Sequence, residues 1–227
     1  MGGFAGGVWE SNGYSHHSKG CYNTGNITEI GDYIGGFIGM AEYTAHFEND
    51  YNTGNIMSIS QNDIPYRVGG FGGGIWNEGL LENCYNKGKV ICTTKRVAAA
   101  FAVVGDKVVL KNCSNEGEIK CGTVDGAQGK AWSPLVAGLC AISGEGATVT
   151  IENCKNTGSV TGMGQFSECV QSLYACEATA HKLKDPAYDG SDKTVCDQAS
   201  KDASAGASVT YIPKDQWNNN TILSWLQ

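Results

Sequence analysis

The sequence predicts an all-β fold: a parallel β-solenoid, or β-helix, of about five rungs over residues 1–162, with a C-terminal capping region over residues 163–227. Three observations lead there. One seven-residue segment recurs five times without internal gaps. Every copy keeps a period-2 alternation of apolar and polar residues. Glycine is abundant, at 32 of 227 residues, while proline is scarce, at 4, which fits many tight turns and close backbone approaches better than collagen or a proline-rich linker.

The five copies are Cys21–Ile27, Asp50–Ile56, Cys84–Val90, Cys113–Ile119 and Cys154–Val160, starting 29, 34, 29 and 41 residues apart. That spread implies a constant rung with loops of variable length. A second block recurs between them as Gly2-Gly3-Phe4, Gly35-Gly36-Phe37 and Gly69-Gly70-Phe71. It degenerates to Ala99-Ala100-Phe101 and then to the stretch Pro134 to Gly138. Repeats of this length are too small to bury an apolar face alone, so neighbours must stack on one another.

The columns orient the side chains. Ile27, Ile56, Val90, Ile119 and Val160 are always apolar and the residues before them always polar, so the apolar column points inward. The same parity turns Asn23, Asn52, Asn86, Asn115 and Asn156 inward and Tyr22, Tyr51, Tyr85, Ser114 and Lys155 outward. Five inward asparagines make sense as a hydrogen-bonded ladder between in-register strands, because a buried amide is costly unless satisfied. The glycine two residues later is predicted to take positive φ at a turn. Ser58, Cys92, Cys121 and Gly162 form a small inward column from which Glu29 departs. Upstream, Phe47, Leu81, Leu110 and Ile151 are apolar, followed by an outward charge column of Lys19, Glu48, Glu82, Lys111 and Glu152. Parity slips at Asn83-Cys84 and its equivalents, where two successive residues read inward, as a corner between short strands would produce.

Ten cysteines would ordinarily suggest a disulfide framework or a metal centre. Here Cys21, Cys84, Cys113 and Cys154 share one inward column and Cys92 and Cys121 another, so stacked free thiols are the favoured reading. Bridges between rungs are disfavoured by parallel Cβ vectors, and no C-x-x-C pair suggests zinc. A Cys176–Cys196 bridge stays open. Asp50 interrupts the cysteine column, either hydrogen-bonded in place or in a partly wet stretch.

Beyond residue 162 the stretch Glu168 to Cys176 and the segment Val209 to Ile212 read as strands. Gly190 to Gly206 reads as a loop with one short strand at Val195, and Pro213 to Gln227 as a short helical end. This region is predicted to cover the open edge of the stack. The chain begins inside a repeat, so its natural N-terminus is expected to lie elsewhere.

The pairing of Gly-Gly-Phe-Ile-Gly segments with Asn-Cys-Tyr-Asn-Thr-Gly segments resembles the GLUG-motif repeats of bacterial surface proteins. Gly35–Gly39, Cys21–Ile27, Asn83–Val90 and Asn153–Val160 carry the resemblance, which covers roughly residues 1–162. It implies an extracellular or cell-surface module, often part of a larger adhesin-like protein, and supplies no catalytic residues. The fourth rung, with alanines in place of the glycines, departs furthest.

No catalytic constellation stands out, so the chain is expected to be non-enzymatic, without cofactor or metal. His16-His17 reads as loop decoration, and His46 and His181 lack partners at ligand spacing. Gly69 to Gly74 lacks the Lys-Ser/Thr ending of a phosphate loop. A net charge of −7 argues against nucleic acid, and no apolar stretch is long enough for membrane insertion. Trp9, Trp76, Tyr22, Tyr51 and Tyr85 are the candidate contacts for a glycan or protein ligand; the plainer alternative is ordinary packing. A carbohydrate-active β-helix enzyme is the runner-up, and it requires a carboxylate or basic cluster that the outward columns do not display.

Overall fold

The computed structural model describes residues 1–9, 15–58, 67–93, 97–122, 135–144, 147–164, 166–176, 182, 193–216 and 224–225. The chain winds as a parallel β-solenoid in which each coil visits four sheets in a fixed order. Sheet A holds the strands of the Gly-Gly-Phe block and its equivalents, among them Ala5–Val8, Ile38–Ala41, Arg67–Ile75 and Val97–Val103. Sheet B holds His16–Lys19, Ala45–Glu48, Leu80–Glu82, Val108–Lys111, Thr148–Glu152 and Lys193–Cys196. Sheet C holds the Tyr-Asn pairs and their equivalents, and sheet D the strands from Ile27–Thr28 to Val209–Pro213. All the strand pairings described are parallel, and like residues meet like: Tyr85 lies between Tyr51 and Ser114, Asn86 between Asn52 and Asn115, Val90 between Ile56 and Ile119.

The asparagines form one continuous chain of hydrogen bonds through the interior. Asn23 Nδ2 donates to Asn52 Oδ1 at 2.8 Å, Asn52 to Asn86 at 3.0 Å, Asn86 to Asn115 at 2.8 Å and Asn115 to Asn156 at 2.8 Å. The other Nδ2 hydrogen goes to the carbonyl of the glycine two residues on, as from Asn86 to Gly88 O at 2.8 Å. Both Nδ2 donors of Asn52, Asn86 and Asn115 are thereby used without water, which is what lets them sit fully buried; Asn156, the last of the ladder, accepts from Asn115 and donates to Gly158 O at 2.9 Å.

The glycine of this motif is needed for a reason other than the one predicted. Among the described residues, Gly20 alone of the glycines has positive φ. At Gly54, Gly88, Gly117 and Gly158 an added Cβ would overlap the carbonyl oxygen of the equivalent glycine one coil below. One set of left-handed residues, Tyr43, Glu78 and Lys107, sits instead just before the sheet B strands; another sits at the corner from sheet B to sheet C: Gly20, Asn49, Asn83, Asn112 and Asn153, with φ of 66°, 57°, 55°, 53° and 49°. Turning the chain there points these asparagines outward, so only the following residue enters the core and the parity slip has one inward member. The exposed corner builds a second ladder, with Asn112 donating to Asn83 Oδ1 at 3.1 Å and Asn153 to Asn112 Oδ1 at 2.7 Å.

The Gly-Gly-Phe block and the Asn-x-Gly block are partners across the coil. An added Cβ on Gly36 would strike the Asn52 amide, and one on Gly70 the Asn86 amide. The phenylalanines that follow stack along the axis, Phe4 on Phe37 at 4.7 Å and Phe37 on Phe71 at 4.8 Å, with Phe101 tilted at 42° against Phe71. In the fourth coil Ala99 and Ala100, which stand where the third coil has Gly69 and Gly70, are fully buried, so it accepts the extra methyl groups. One core cluster packs the phenylalanine column against Phe47, Leu81, Leu110 and Ile151; a second joins the sheet D column to Ile34, Val68, Ala98 and Val136.

All ten cysteines are free, Cys176 and Cys196 included. Along the corner column each thiol donates to a carbonyl one coil below: Cys84 to Phe47 O, Cys113 to Leu81 O and Cys154 to Leu110 O, at 3.3, 3.4 and 3.4 Å. Asp50 is hydrogen-bonded in place: Cys21 N donates to its Oδ1 at 2.7 Å, and Ser18, which stands in the otherwise apolar column, donates to its Oδ2.

The C-terminal region adds a sixth coil to the stack. Val170–Gln171 and Tyr174–Cys176 extend sheet A, Lys193–Cys196 extends sheet B and Val209–Pro213 extends sheet D. Where the sheet C strand would come, the chain forms helix α1, Gln198–Ser204, in a segment the sequence reading assigned to loop. Asp197 caps α1 by accepting from Ser200 N at 2.9 Å, and its other oxygen accepts from Asn153 N at 2.8 Å. Ser200 and Ser204 lie one turn apart on the buried face; their hydroxyls accept Cys154 N at 2.8 Å and Asn156 N at 2.9 Å. Helix α1 therefore closes the sheet C edge with side-chain oxygens. Most of the predicted terminal helix falls outside the described residues; Lys214–Gln216 is a 3₁₀ turn.

Candidate functional site

Two-residue strands, fixed in register by the asparagine ladder beside them, place Tyr22, Tyr51 and Tyr85 in one outward column of sheet C. The rings stack nearly parallel, Tyr22 on Tyr51 at 5.1 Å and 9°, Tyr51 on Tyr85 at 4.7 Å and 4°. Stacking has a chemical consequence. Inside the column each ring covers its neighbour's face, so the stripe offers ring edges and a row of phenolic hydroxyls, with one open ring face on Tyr22, which is 56% exposed. The Lys87 ammonium lies 5.4 Å from the Tyr85 ring centre and pairs with Glu116 at 3.3 Å, making that end of the stripe charged. Burial raises the Tyr85 phenol above its ordinary pKa.

Trp9 and Trp76 occupy equivalent positions but do not join this stripe. They follow the sheet A strands, with Glu42 in the intervening coil, so the two indoles are never neighbours. Trp9 is 55% exposed and lies against Gly7 of its own strand. Trp76 is half-buried, leans on Tyr33 with centroids 6.4 Å apart, and has its Nε1 buried without an acceptor. The five aromatic candidates thus form one assembled column of three and two separate residues.

The buried thiols have chemistry opposite to that of reactive cysteines. Burial pushes Cys113 and Cys140 far above the ordinary thiol range, and for Cys154 the hydrogen bond with Cys113 acts first and burial second. Cys169 is raised to about 11, chiefly by burial. These thiols are packing elements with little thiolate character.

The histidines depart most from the sequence reading. His16 and His17 lie in a strand, His16–Lys19, rather than on a loop. His46 does have a partner: the register sets it beside His17, and the rings stack at 4.5 Å and 3°. The offset that relates Cys21 to Asp50 also relates His17 to His46, so aligning the copies one strand further upstream would have revealed the pair. His181 lies outside the described residues.

No curated protein and no solved structure matches the chain. Residues 65–91, nearly the whole third coil from its glycine-rich strand through its Asn-x-Gly turn, match the family model of the GLUG motif, so the β-solenoid carries a GLUG-motif repeat in that coil.

Proposed function

We propose that this β-helix repeat domain is a non-enzymatic structural and adhesive module that works outside the cell or at its surface, as part of a larger surface protein, and that its tyrosine stripe contacts a glycan or protein ligand. The stripe carries the reading: three aromatic side chains stand in register on an outward column that core packing does not require. Rigid two-residue strands hold the rings, so little side-chain entropy remains to be lost on binding. The outward charges of sheet B support a scaffold role, because they are taken up between coils, with Lys19 2.7 Å from Glu48 and Lys111 3.2 Å from Glu82.

A glycan array and a panel of immobilised extracellular-matrix proteins, probed with the whole chain and with a Tyr22→Ala/Tyr51→Ala/Tyr85→Ala variant, test it. Binding that disappears in the triple variant supports the proposal. Binding that survives places the contact elsewhere, and an absence of binding leaves a spacer.

A further inference from the structure

The outward face of sheet B carries a second arrangement of side chains, at the end of the stack formed by the first two coils. Strands His16–Lys19 and Ala45–Glu48 pair in register, so His17 meets His46 and Lys19 meets Glu48. Period-2 alternation puts all four on the outer face. The next strand adds Glu82 beside Glu48. A donor atom from each of His17, His46 and Glu48 lies within 4.8 Å of the other two, and Glu82 Oε2 is 3.1 Å from His46 Nε2.

The carboxylates divide their oxygens. Glu48 turns Oε1 to Lys19 and Oε2 toward His17 Nε2, at 2.7 and 3.6 Å. Glu82 turns Oε1 to Lys111 at 3.2 Å and Oε2 to His46. The lysines thus hold both carboxylates with one oxygen facing the imidazoles. The side chains of His17, His46, Glu48 and Glu82 are 50%, 31%, 23% and 27% exposed, so the cluster is open to solutes and anchored at its base.

We propose that this cluster binds one divalent transition-metal ion of the zinc class, with His17 Nε2, His46 Nε2 and Glu48 Oε2 as ligands and Glu82 Oε2 as the adjacent fourth donor. Two imidazole nitrogens with carboxylate oxygen suit zinc, copper or nickel and are a poor set for calcium or magnesium, which take oxygen ligands. Ligand bonds of about 2.0–2.2 Å put tetrahedral donors about 3.3 Å apart. Small rotations of exposed side chains bring the observed donors to that spacing without moving the strands. The paired lysines offset the carboxylate charge, which sets the affinity below that of a thiolate site. The ion would tie the first coil to the second, so its binding free energy adds to the stability of this end of the stack.

Titration calorimetry of the whole chain with zinc chloride tests the site, alongside melting curves with and without zinc. The expected result is one ion per chain, weakened at least tenfold by His17→Gln or His46→Gln and abolished in the double variant, with zinc raising the melting temperature of the parent and leaving that of the double variant unchanged. Glutamine keeps an amide donor for the carboxylates, and overlaid metal-free melting curves show that folding is intact. His16→Gln is the control, because its ring lies on the other side of the strand and its Nε2 is 2.7 Å from Trp9 O; it should bind as the parent does. Zinc binding by the double variant equal to that of the parent, a loss in His16→Gln as large as in His17→Gln, or no binding by the parent would each overturn the assignment.

Discussion

The corner from sheet B to sheet C is built in two ways in this one molecule. In the third to fifth coils it is dry: Leu81, Leu110 and Ile151 fill the apolar column, and Cys84, Cys113 and Cys154 hand thiol hydrogens down to carbonyls. Between the first two coils it is polar, with Ser18 in the apolar column and Asp50 in the thiol column, each satisfying the other. Either chemistry satisfies the corner, provided the change is made in both coils together. A column in this solenoid is therefore specified by pairs across coils, not by one residue at a time.

That contrast can be broken most severely at the asparagine ladder. Asn86→Ala, in the dry interior, removes the acceptor of Asn52 and the donor to Asn115, and should cost about 4 kcal/mol by urea unfolding. Asn23→Ala, at the exposed end, loses one such link and should cost about 1 kcal/mol. Equal losses would mean that the ladder is no stronger where it is buried. The motif glycine gives the next largest difference. Gly88→Ala drives a methyl group into Gly54 O and should cost about 3 kcal/mol, whereas at Gly25 the nearest atom to an added Cβ is Asn23 Oδ1 at 3.5 Å, and Gly25→Ala should cost below about 1 kcal/mol.

Asp50 sharpens the comparison through pH. Burial is the main influence on its carboxyl and holds the pKa above the ordinary 3.8, against the hydrogen bonds from Ser18 and Cys21. The folded chain therefore keeps this proton more tightly than the unfolded chain. The stabilisation it brings is fully present below pH 3.8 and is lost as pH rises through the raised folded-state value. Asp50→Asn should accordingly gain stability relative to the parent between acid and neutral pH, measured as the difference between two denaturation series; a flat difference would show a carboxylate with no desolvation cost. Lys111→Ala is the smallest case. Its pair with Glu82 is exposed, so the loss should stay below about 1 kcal/mol and vanish in high salt.

Several features were legible because they repeat. The register, the inward asparagines, the apolar columns and the tyrosine stripe all followed from five aligned copies, since a parallel in-register stack converts sequence period directly into spatial contact. Helix α1 was less legible because it occurs once, although Asp197 three residues before Ser200 is a capping signal. The motif glycine was read as a turn former because a sequence records small size without saying whether φ or a neighbour demands it. Steric contact with the coil below was the answer.

By itself, then, the sequence determined which residues share a column and which face of the strand each occupies, because period-2 alternation and the repeat offset are properties of the chain alone. Only the tertiary structure decided what each column does. Stacking turned the tyrosine faces onto one another, paired Ser18 with Asp50, set His46 against His17 and placed α1 over an open edge. Those outcomes depend on distances between coils of a few ångströms and on which hydrogen-bonding group lies across the gap, and neither is encoded in any one copy.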